Sequence, residues 1–218
     1  MNAPFSLVFF DVDSTLVTIE GIDVLAADDA AVVELTEAAM NGEVPLEDVY
    51  GRRLEIVRPT RAQIEDLGRR YVETLVPGAR ETIARLRDHG IEVHLLTAGL
   101  EPAVLLLAKE LRISDRFVHA VGIALDDNGT YRDYDRGSFL TRRGGKAVVI
   151  RDIRSRAHGS AAFVGDGMTD VEAADMVELF IGFGGVRIRP EVRERSAVYI
   201  EEADLRSVLP WLLREKVQ

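Results

Sequence analysis

A short apolar segment that ends in two carboxylates constrains this chain most. Residues 7–10 read Leu-Val-Phe-Phe, which predicts a buried strand, and Asp11 and Asp13 follow directly. Side chains two positions apart in an extended segment point the same way, so both carboxylates should project from the strand's carboxyl end. Two such anions are tolerated if a divalent cation lies between them and a substrate, or if one holds a proton. The alternative is a strand followed by an ordinary Asp/Ser turn.

The residues after Thr15 have helical periodicity instead. Their apolar positions recur every three or four residues, with no strand between the helices. So long a helical stretch after a first strand is typical of an inserted module, with Pro77-Gly78 as its exit. We predict a helical domain over residues 17–75 and a core domain made of residues 1–16 and 76–218. The helices are expected over residues 20–40, over residues 46–56, and from Pro59-Thr60 onward.

Beyond that exit, strands and helices alternate, which predicts an α/β protein with a parallel sheet wrapped by helices. Asp127-Asn128-Gly129-Thr130 is a strong hairpin turn and predicts an antiparallel excursion that returns near residues 131–134. The strands are expected at residues 91–96, 117–125, 161–164, 179–181 and 198–200. The helices are expected at residues 79–88, 101–111 and 144–156, and from about residue 202.

Polar side chains follow three of the predicted strands. Asp11 and Asp13 come after the first, Thr97 after the second, and Asp166 and Asp170 lie four apart across a strand-to-helix turn. In an open α/β sheet, ligands bind outside the carboxyl ends of the strands, so these groups should converge. Carboxylates without sulfur or paired imidazoles suit Mg²⁺, which favours hard oxygens and phosphate partners. For Asp166 the alternative is an N-cap aspartate.

Lys146 lies in the first turn of a predicted helix, directly after Gly144-Gly145. A cation there opposes the positive end of the helix dipole, so an acidic or capping residue would be expected. The lysine makes sense if an anion lies nearby, and an exposed lysine is the alternative. It is not the lysine of a phosphate-binding P-loop, because Leu140 and Ala147 replace the glycine and the hydroxyl residue of that motif.

Composition excludes several classes of function. The chain has no cysteine, which rules out disulfides, thiolate zinc sites and cysteine nucleophiles. Its 37 acidic and 27 basic residues give a formal charge of -10, which argues against a nucleic-acid or membrane partner. The four histidines lack metal-ligand spacing and are expected to be structural or surface residues. No apolar run approaches the ~20 residues of a membrane span, and residues 1–4 lack the basic region of a signal peptide, so a cytoplasmic location is expected.

Four of these segments resemble, in order, the motifs of the haloacid dehalogenase superfamily. They are Asp11-Val12-Asp13-Ser14-Thr15, Thr97, Lys146 and Gly165-Asp166-Gly167-Met168-Thr169-Asp170. The resemblance implies a Rossmann-like core with a helical cap, and catalysis by Asp11 as nucleophile and Asp13 as general acid and base. Thr97 and Lys146 would hold the phosphate oxygens. By the same resemblance, Mg²⁺ would be held by Asp11, the carbonyl of Asp13 and Asp166, with Asp170 in support.

Further segments resemble the phosphoserine phosphatase family within that superfamily. They are Glu20-Gly21-Ile22-Asp23, Ala39-Met40-Asn41-Gly42, Arg52-Arg53-Leu54 and Ile181-Gly182-Phe183-Gly184-Gly185. The resemblance implies that the helical module is a lid, in which Glu20 binds the substrate ammonium, Arg53 binds its carboxylate and Met40 packs against it. It also implies substrate contacts from Ala98, Gly99 and Thr169. The chain departs from the family pattern at Leu46, usually phenylalanine, and at Thr97-Ala98-Gly99, usually Ser-Gly-Gly.

The expected reaction is dephosphorylation of L-3-phosphoserine to L-serine, with Mg²⁺ as cofactor and a small phosphorylated amino acid as substrate. Without the family pattern, Glu20 is an ordinary first-turn helix residue, Arg53 a solvated cation and Met40 a core residue. One alternative function is the same fold acting on another small phosphomonoester, or passing the phosphoryl group to an acceptor such as homoserine. A more distant one is a phospho-accepting signalling domain, which is usually shorter and accepts phosphate after a middle strand. The oligomeric state stays open.

Overall fold

The structure is a computed structural model that describes residues 4–27 and 29–214. Its strands are Leu7–Phe10 (β1), Glu92–Leu100 (β2), Val118–Val121 (β3), Ile123–Leu125 (β4), Tyr131–Tyr134 (β5), Ala161–Gly165 (β6), Leu179–Phe183 (β7) and Val198–Ile200 (β8). Six of them form one parallel sheet in the order β3-β2-β1-β6-β7-β8, and β4 and β5 pair as an antiparallel hairpin. The predicted α/β fold is confirmed. Residues 1–3, which entered the signal-peptide argument, lie outside the described part.

Helices cover the sheet and form the segment between β1 and β2. They are Gly21–Leu25 (α1), Ala30–Met40 (α2), Leu46–Val57 (α3), Arg61–Glu73 (α4), Ala79–Asp88 (α5), Glu101–Glu110 (α6), Gly145–Arg156 (α7), Met168–Val171 (α8), Pro190–Arg195 (α9) and Leu209–Leu213 (α10). Within residues 4–27 and 29–214, none of the helices has the length and apolar character needed to cross a bilayer.

β1 lies at the centre of the sheet because it is apolar along its whole length. It pairs with β2 on one side and β6 on the other, and its four side chains are buried. Such a run is typical of a strand covered by helices on both faces. The strand order reverses at β1, and ligands bind at such a switch point in open α/β sheets. Asp11 and Asp13 follow β1 and therefore lie at that point.

Residues 17–75, which we call the helical insertion, leave and rejoin the core at neighbouring points. Val17 and Leu75 form an antiparallel bridge. Beside it, the Thr18 amide donates to the Thr74 carbonyl at 2.9 Å, and the Val76 amide donates to the Leu16 carbonyl at 2.9 Å. The chain therefore crosses between the core and the helical insertion twice at one place.

Two predictions for long elements are wrong. The helix expected over residues 20–40 is two helices, α1 and α2, because Asp29 starts α2 by accepting a hydrogen bond from the Ala31 amide at 3.0 Å. Residue 28, between them, lies outside the described residues. The strand expected over residues 117–125 is divided between two sheets: β3 pairs with β2 in the main sheet, whereas β4 pairs with β5 in the hairpin.

Two predicted boundaries also differ from the structure. The second strand continues to Leu100 beyond its expected end at residue 96, with a register shift after Leu96. The closing helix starts at Leu209 and not near residue 202, since Asp204 first caps a 3-10 turn by accepting from the Arg206 amide.

Candidate active site

Three buried carboxylates meet at the carboxyl ends of β1 and β6. Oxygens of Asp11, Asp166 and Asp170 all lie within 4.8 Å of one another. Gly165 makes this approach possible, because a Cβ there would lie 2.4 Å from Cγ of Asp170. The structure thus brings together the acidic residues that the sequence assigned to two different strand ends.

Lys146 joins this cluster from the first turn of α7. Its Nζ donates to Oδ1 of Asp11 at 2.7 Å and to Oδ1 of Asp170 at 2.5 Å. Burial opposes the charged form, but the two carboxylates outweigh it and raise the pKa of Lys146. The side chain is only 6% exposed, so the exposed-lysine alternative is wrong. The nearby anions account for a cation at a helix N-terminus.

The two carboxyl groups after β1 differ in environment. Burial raises the pKa of Asp11 to about 7, although Lys146 opposes this shift. Burial, followed by the repulsion of Glu20 and Asp11, raises the pKa of Asp13 well above its usual range. Oδ1 of Asp13 accepts from the Gly21 amide of the helical insertion at 3.1 Å. The surroundings of Asp13 thus favour its protonated form, whereas Asp11 lies beside the cation of Lys146.

The surroundings of Asp166 fit a hard divalent cation. Its oxygens accept from Thr15 Oγ1 and Arg189 Nε, both at 3.2 Å, while Gly167 is the N-cap of α8, so the N-cap alternative for Asp166 is wrong. Burial, and then repulsion by Glu20 and Asp11, raises the pKa of Asp166 well above its usual range. A dication would relieve this crowding of anions, and all three carboxylates offer the oxygen donors that Mg²⁺ prefers.

A cavity lies between the carboxyl edge of the sheet and the helical insertion. Its volume is about 60 Å³, room for only a few water molecules. Leu46 is buried but does not line it. The lining includes most of the site residues that the sequence suggested: Asp11, Asp13, Glu20, Met40, Arg53, Thr97, Ala98, Gly99, Lys146 and Thr169.

Glu20 and Arg53 are buried on the insertion side of this cavity, so neither is a solvated surface residue. Oε1 of Glu20 accepts from the Ser14 hydroxyl at 2.5 Å, and burial raises the pKa of Glu20. Arg53 Nη1 donates to Thr36 Oγ1 at 3.2 Å, and Thr36 donates to Asp23 at 2.7 Å. Arg53 Nε has no hydrogen-bond partner, which leaves a buried donor beside the cavity.

Four residues at the site escaped the sequence reasoning. Ser14, at a φ of 52°, adopts a left-handed conformation that lets its hydroxyl reach Glu20. Tyr50 and Tyr71 line the cavity but have the helical spacing of core residues. Arg189 bonds Asp166 and also Glu37 of α2. The only local sequence signal is for Ser14, which directly follows Asp13 in the first motif, because the other three residues act through contacts that are distant in sequence.

A parallel sheet with a helical insertion after its first strand, and with aspartates and a lysine at its carboxyl edge, defines a class of hydrolases. The chain belongs to the haloacid dehalogenase-like hydrolase family, whose model matches residues 8–175.

Comparison with individual proteins indicates a smaller group within this family. The phosphoserine phosphatase of Mus musculus is 37% identical over 199 residues, which are 89% of this chain and 88% of that protein. A solved phospho-aspartyl intermediate analogue of phosphoserine phosphatase has a TM-score of 0.83 and 26% identity, over 95% of this chain and 99% of that one. A substrate-bound phosphoserine phosphatase complex has a TM-score of 0.83 and 25% identity, over 95% and 98%.

Proposed function

We propose that this chain is a Mg²⁺-dependent phosphomonoester hydrolase that converts L-3-phosphoserine to L-serine through an aspartyl-phosphate on Asp11. The observation that carries the proposal is that Asp11, Asp13, Lys146 and Arg53 line one cavity, in which burial favours the protonated form of Asp13. The phosphoserine phosphatases among its relatives support the substrate. The cytoplasmic location remains a prediction of the sequence.

The reaction needs one nucleophile and one group that both gives and takes a proton. The Asp11 carboxylate attacks phosphorus as the bond to the serine oxygen breaks, and Asp13 gives its proton to that oxygen. Asp13, now a carboxylate, then takes a proton from the water that attacks the aspartyl-phosphate. This step releases inorganic phosphate and regenerates the Asp11 carboxylate. Thr97 and Lys146 stabilise the charge on the equatorial phosphate oxygens.

Asp11, the backbone carbonyl of Asp13 and Asp166 would hold Mg²⁺, with Asp170 in support. When bound, the ion screens the charge of the phosphate so that an anionic nucleophile can approach it. Lys146 contributes a fixed positive charge on the same side, through its contacts with Asp11 and Asp170.

We assign the helical insertion as a cap that selects the substrate. The cavity of about 60 Å³ leaves too little room for phosphoserine, so the cap opens and closes in each turnover of the proposed reaction. Inside it, Glu20 pairs with the ammonium and Arg53 with the carboxylate, while Met40 packs against the amino-acid part. Ala98, Gly99 and Thr169 complete the substrate contacts.

The direct test is phosphate release from a panel of small phosphomonoesters, with Mg²⁺ and with the metal removed by chelation. We expect Mg²⁺-dependent release with phosphoserine as the best substrate. Added homoserine should not divert the phosphoryl group, and formation of phosphohomoserine would make the chain a phosphotransferase. A preference for a phosphomonoester without amino and carboxylate groups would refute the proposed substrate.

Variants of the cap test the assigned contacts. Losing a charged hydrogen bond in a closed site costs about 2–5 kcal/mol, roughly 30-fold or more in kcat/KM. Glu20→Gln and Arg53→Ala should lower kcat/KM by such a factor for phosphoserine, and far less for ethyl phosphate, which lacks both charged groups. Arg52→Ala, at an exposed position on the same helix, is the matched control. Equal losses on both substrates would show that Glu20 and Arg53 serve the fold and not substrate choice.

A further inference from the structure

Tyr50 connects the two sides of the cavity. It lies on α3 and lines the cavity, and its hydroxyl donates to the backbone carbonyl of Ala98 at 2.9 Å. Ala98 belongs to the last part of β2, directly after Thr97. This hydrogen bond therefore runs from the cap to the catalytic edge of the sheet, and it must break whenever the cap lifts from the core.

The ring of Tyr50 has a separate set of contacts. The guanidinium carbon of Arg53 lies 5.7 Å from its centroid. On the hairpin side, Tyr134 of β5 packs against the ring edge-on, with centroids 5.0 Å apart. The ring is thus fixed between the hairpin and Arg53, and it supports a guanidinium whose Nε has no protein partner. A ring held in this way restricts where the guanidinium can point.

We propose that Tyr50 is a closure and positioning residue for this cap. Its hydroxyl latches the cap onto the Ala98 carbonyl, and its ring holds Arg53 in place for the carboxylate of the substrate. The second half rests on the proposed function, whereas the latch does not depend on which phosphomonoester is bound.

A purely structural role is the competing explanation, since buried tyrosines usually find a hydrogen-bond partner. Two features favour the latch. The acceptor lies across the cavity and not within the insertion, and Leu46, one helical turn earlier on α3, lies off the cavity. Tyr50 is therefore the aromatic residue of α3 that faces both the substrate space and the sheet.

Tyr50→Phe and Tyr50→Leu separate the two roles. Tyr50→Phe keeps the ring and removes the hydroxyl, so kcat/KM should fall roughly 3- to 10-fold for phosphoserine and for ethyl phosphate alike. Amide hydrogen exchange of residues 46–57 should become faster in the same variant, without any substrate. Tyr50→Leu also removes the ring, which should cost about a further 3-fold or more for phosphoserine only. Tyr131→Phe, which removes a hydroxyl without a hydrogen-bond partner from the same hairpin, is the matched control and should behave as the parent.

Each of the two Tyr50 variants tests one of the two proposed roles. Parent-like exchange and kinetics in Tyr50→Phe would overturn the latch, and an equal further loss on both substrates in Tyr50→Leu would overturn the positioning of Arg53. Thermal unfolding checks that the variants are folded, and Tyr50→Met replaces the leucine variant if that one is not. If the parent does not prefer phosphoserine over ethyl phosphate, the proposed function fails, while the exchange measurement still decides the latch.

Discussion

The environment of Asp13 favours the protonated form of its carboxyl group. An exposed aspartate is ionised at neutral pH, but burial and the repulsion of Glu20 and Asp11 raise the pKa of Asp13 well above its usual range. Asp11, two residues earlier, lies beside the ammonium of Lys146. In the proposed reaction, the same residue type therefore supplies a proton donor and a nucleophile in one cavity.

Asp13→Asn should cripple hydrolysis and leave some phosphoryl transfer onto Asp11, because it removes the acid and base but not the nucleophile. The loss should be larger for phosphoserine than for p-nitrophenyl phosphate, whose leaving group needs little protonation. Steady-state rates on both substrates, at fixed Mg²⁺ and pH, measure the difference. Equal losses on the two substrates would contradict the role of Asp13.

His94, which is buried, and His119, which is half-buried, form a pair on the neighbouring strands β2 and β3. Their rings stack at 12°, with Nδ1 of His94 3.0 Å from Nε2 of His119. Burial lowers the pKa of each imidazole to about 4. The structural role predicted for these histidines agrees with this packing, in which Phe9 and Phe117 cover His94.

This pair should make the protein less stable in acid. Because the folded-state pKa values lie below the unfolded value of 6.5, the unfolded chain binds protons first, and stability is lost as the pH falls from 6.5 towards 4. His119→Gln removes one titrating ring and should reduce the loss between pH 7 and pH 5 by about 1–2 kcal/mol in urea unfolding. The exposed His158→Gln is the control. An unchanged pH dependence in His119→Gln would refute the assignment.

At the scale of elements, the start of α7 determines where Lys146 lies. Gly145 packs against the preceding 3-10 turn so closely that a Cβ would fall 1.7 Å from the carbonyl oxygen of Phe139. Gly144, just before it, has a positive φ of 67° but open space around it. Gly145 is therefore required for the close approach to Phe139, and Gly144 for the left-handed backbone conformation.

Gly145→Ala should therefore shift the first turn of α7 and move Lys146 away from Asp11 and Asp170. We expect a loss of at least about 2 kcal/mol in the free energy of unfolding, together with a fall in kcat/KM. Gly144→Asn should cost less than about 1 kcal/mol, because asparagine tolerates the left-handed region. Urea unfolding and steady-state kinetics of the two variants test this, and equal effects would contradict it.

At the scale of the whole molecule, Arg189 ties the insertion to the core. Its Nε bonds Asp166, and its Nη1 bonds Glu37 at 3.0 Å and Asn41 at 2.9 Å. The side chain is only 4% exposed. A single guanidinium thus balances part of the negative charge that the acidic cluster concentrates between the two parts of the chain.

Arg189→Ala should lower the free energy of unfolding by about 3–5 kcal/mol, because it leaves buried carboxylates without their cation. Arg143→Ala removes an exposed guanidinium that pairs with Glu172, and should cost less than about 1 kcal/mol. Denaturant unfolding of both variants, without metal, measures the difference. A similar small cost in both would show that Arg189 contributes no more than a surface ion pair.

The sequence by itself determined the elements whose signal is local. The apolar run of β1 requires burial on both faces, so the following Asp11 and Asp13 had to lie at the carboxyl edge of the sheet. Lys146 lies at the positive end of its helix dipole, where a cation is unfavourable, and this position indicated a nearby anion. Helical spacing likewise indicated the insertion, although it did not separate α1 from α2, because apolar periodicity continues across the capping residue Asp29.

Tertiary structure alone decided which distant groups meet. The Tyr50 hydroxyl and its acceptor are 48 residues apart in sequence, and Arg189 and Glu37 are 152 apart. The division of residues 117–125 between two sheets is of the same kind, since strand partners and not local pattern decide where each half pairs. Such contacts depend on the rotation of a helix and the path of a loop, which packing of the whole chain sets and which no local pattern of residues encodes.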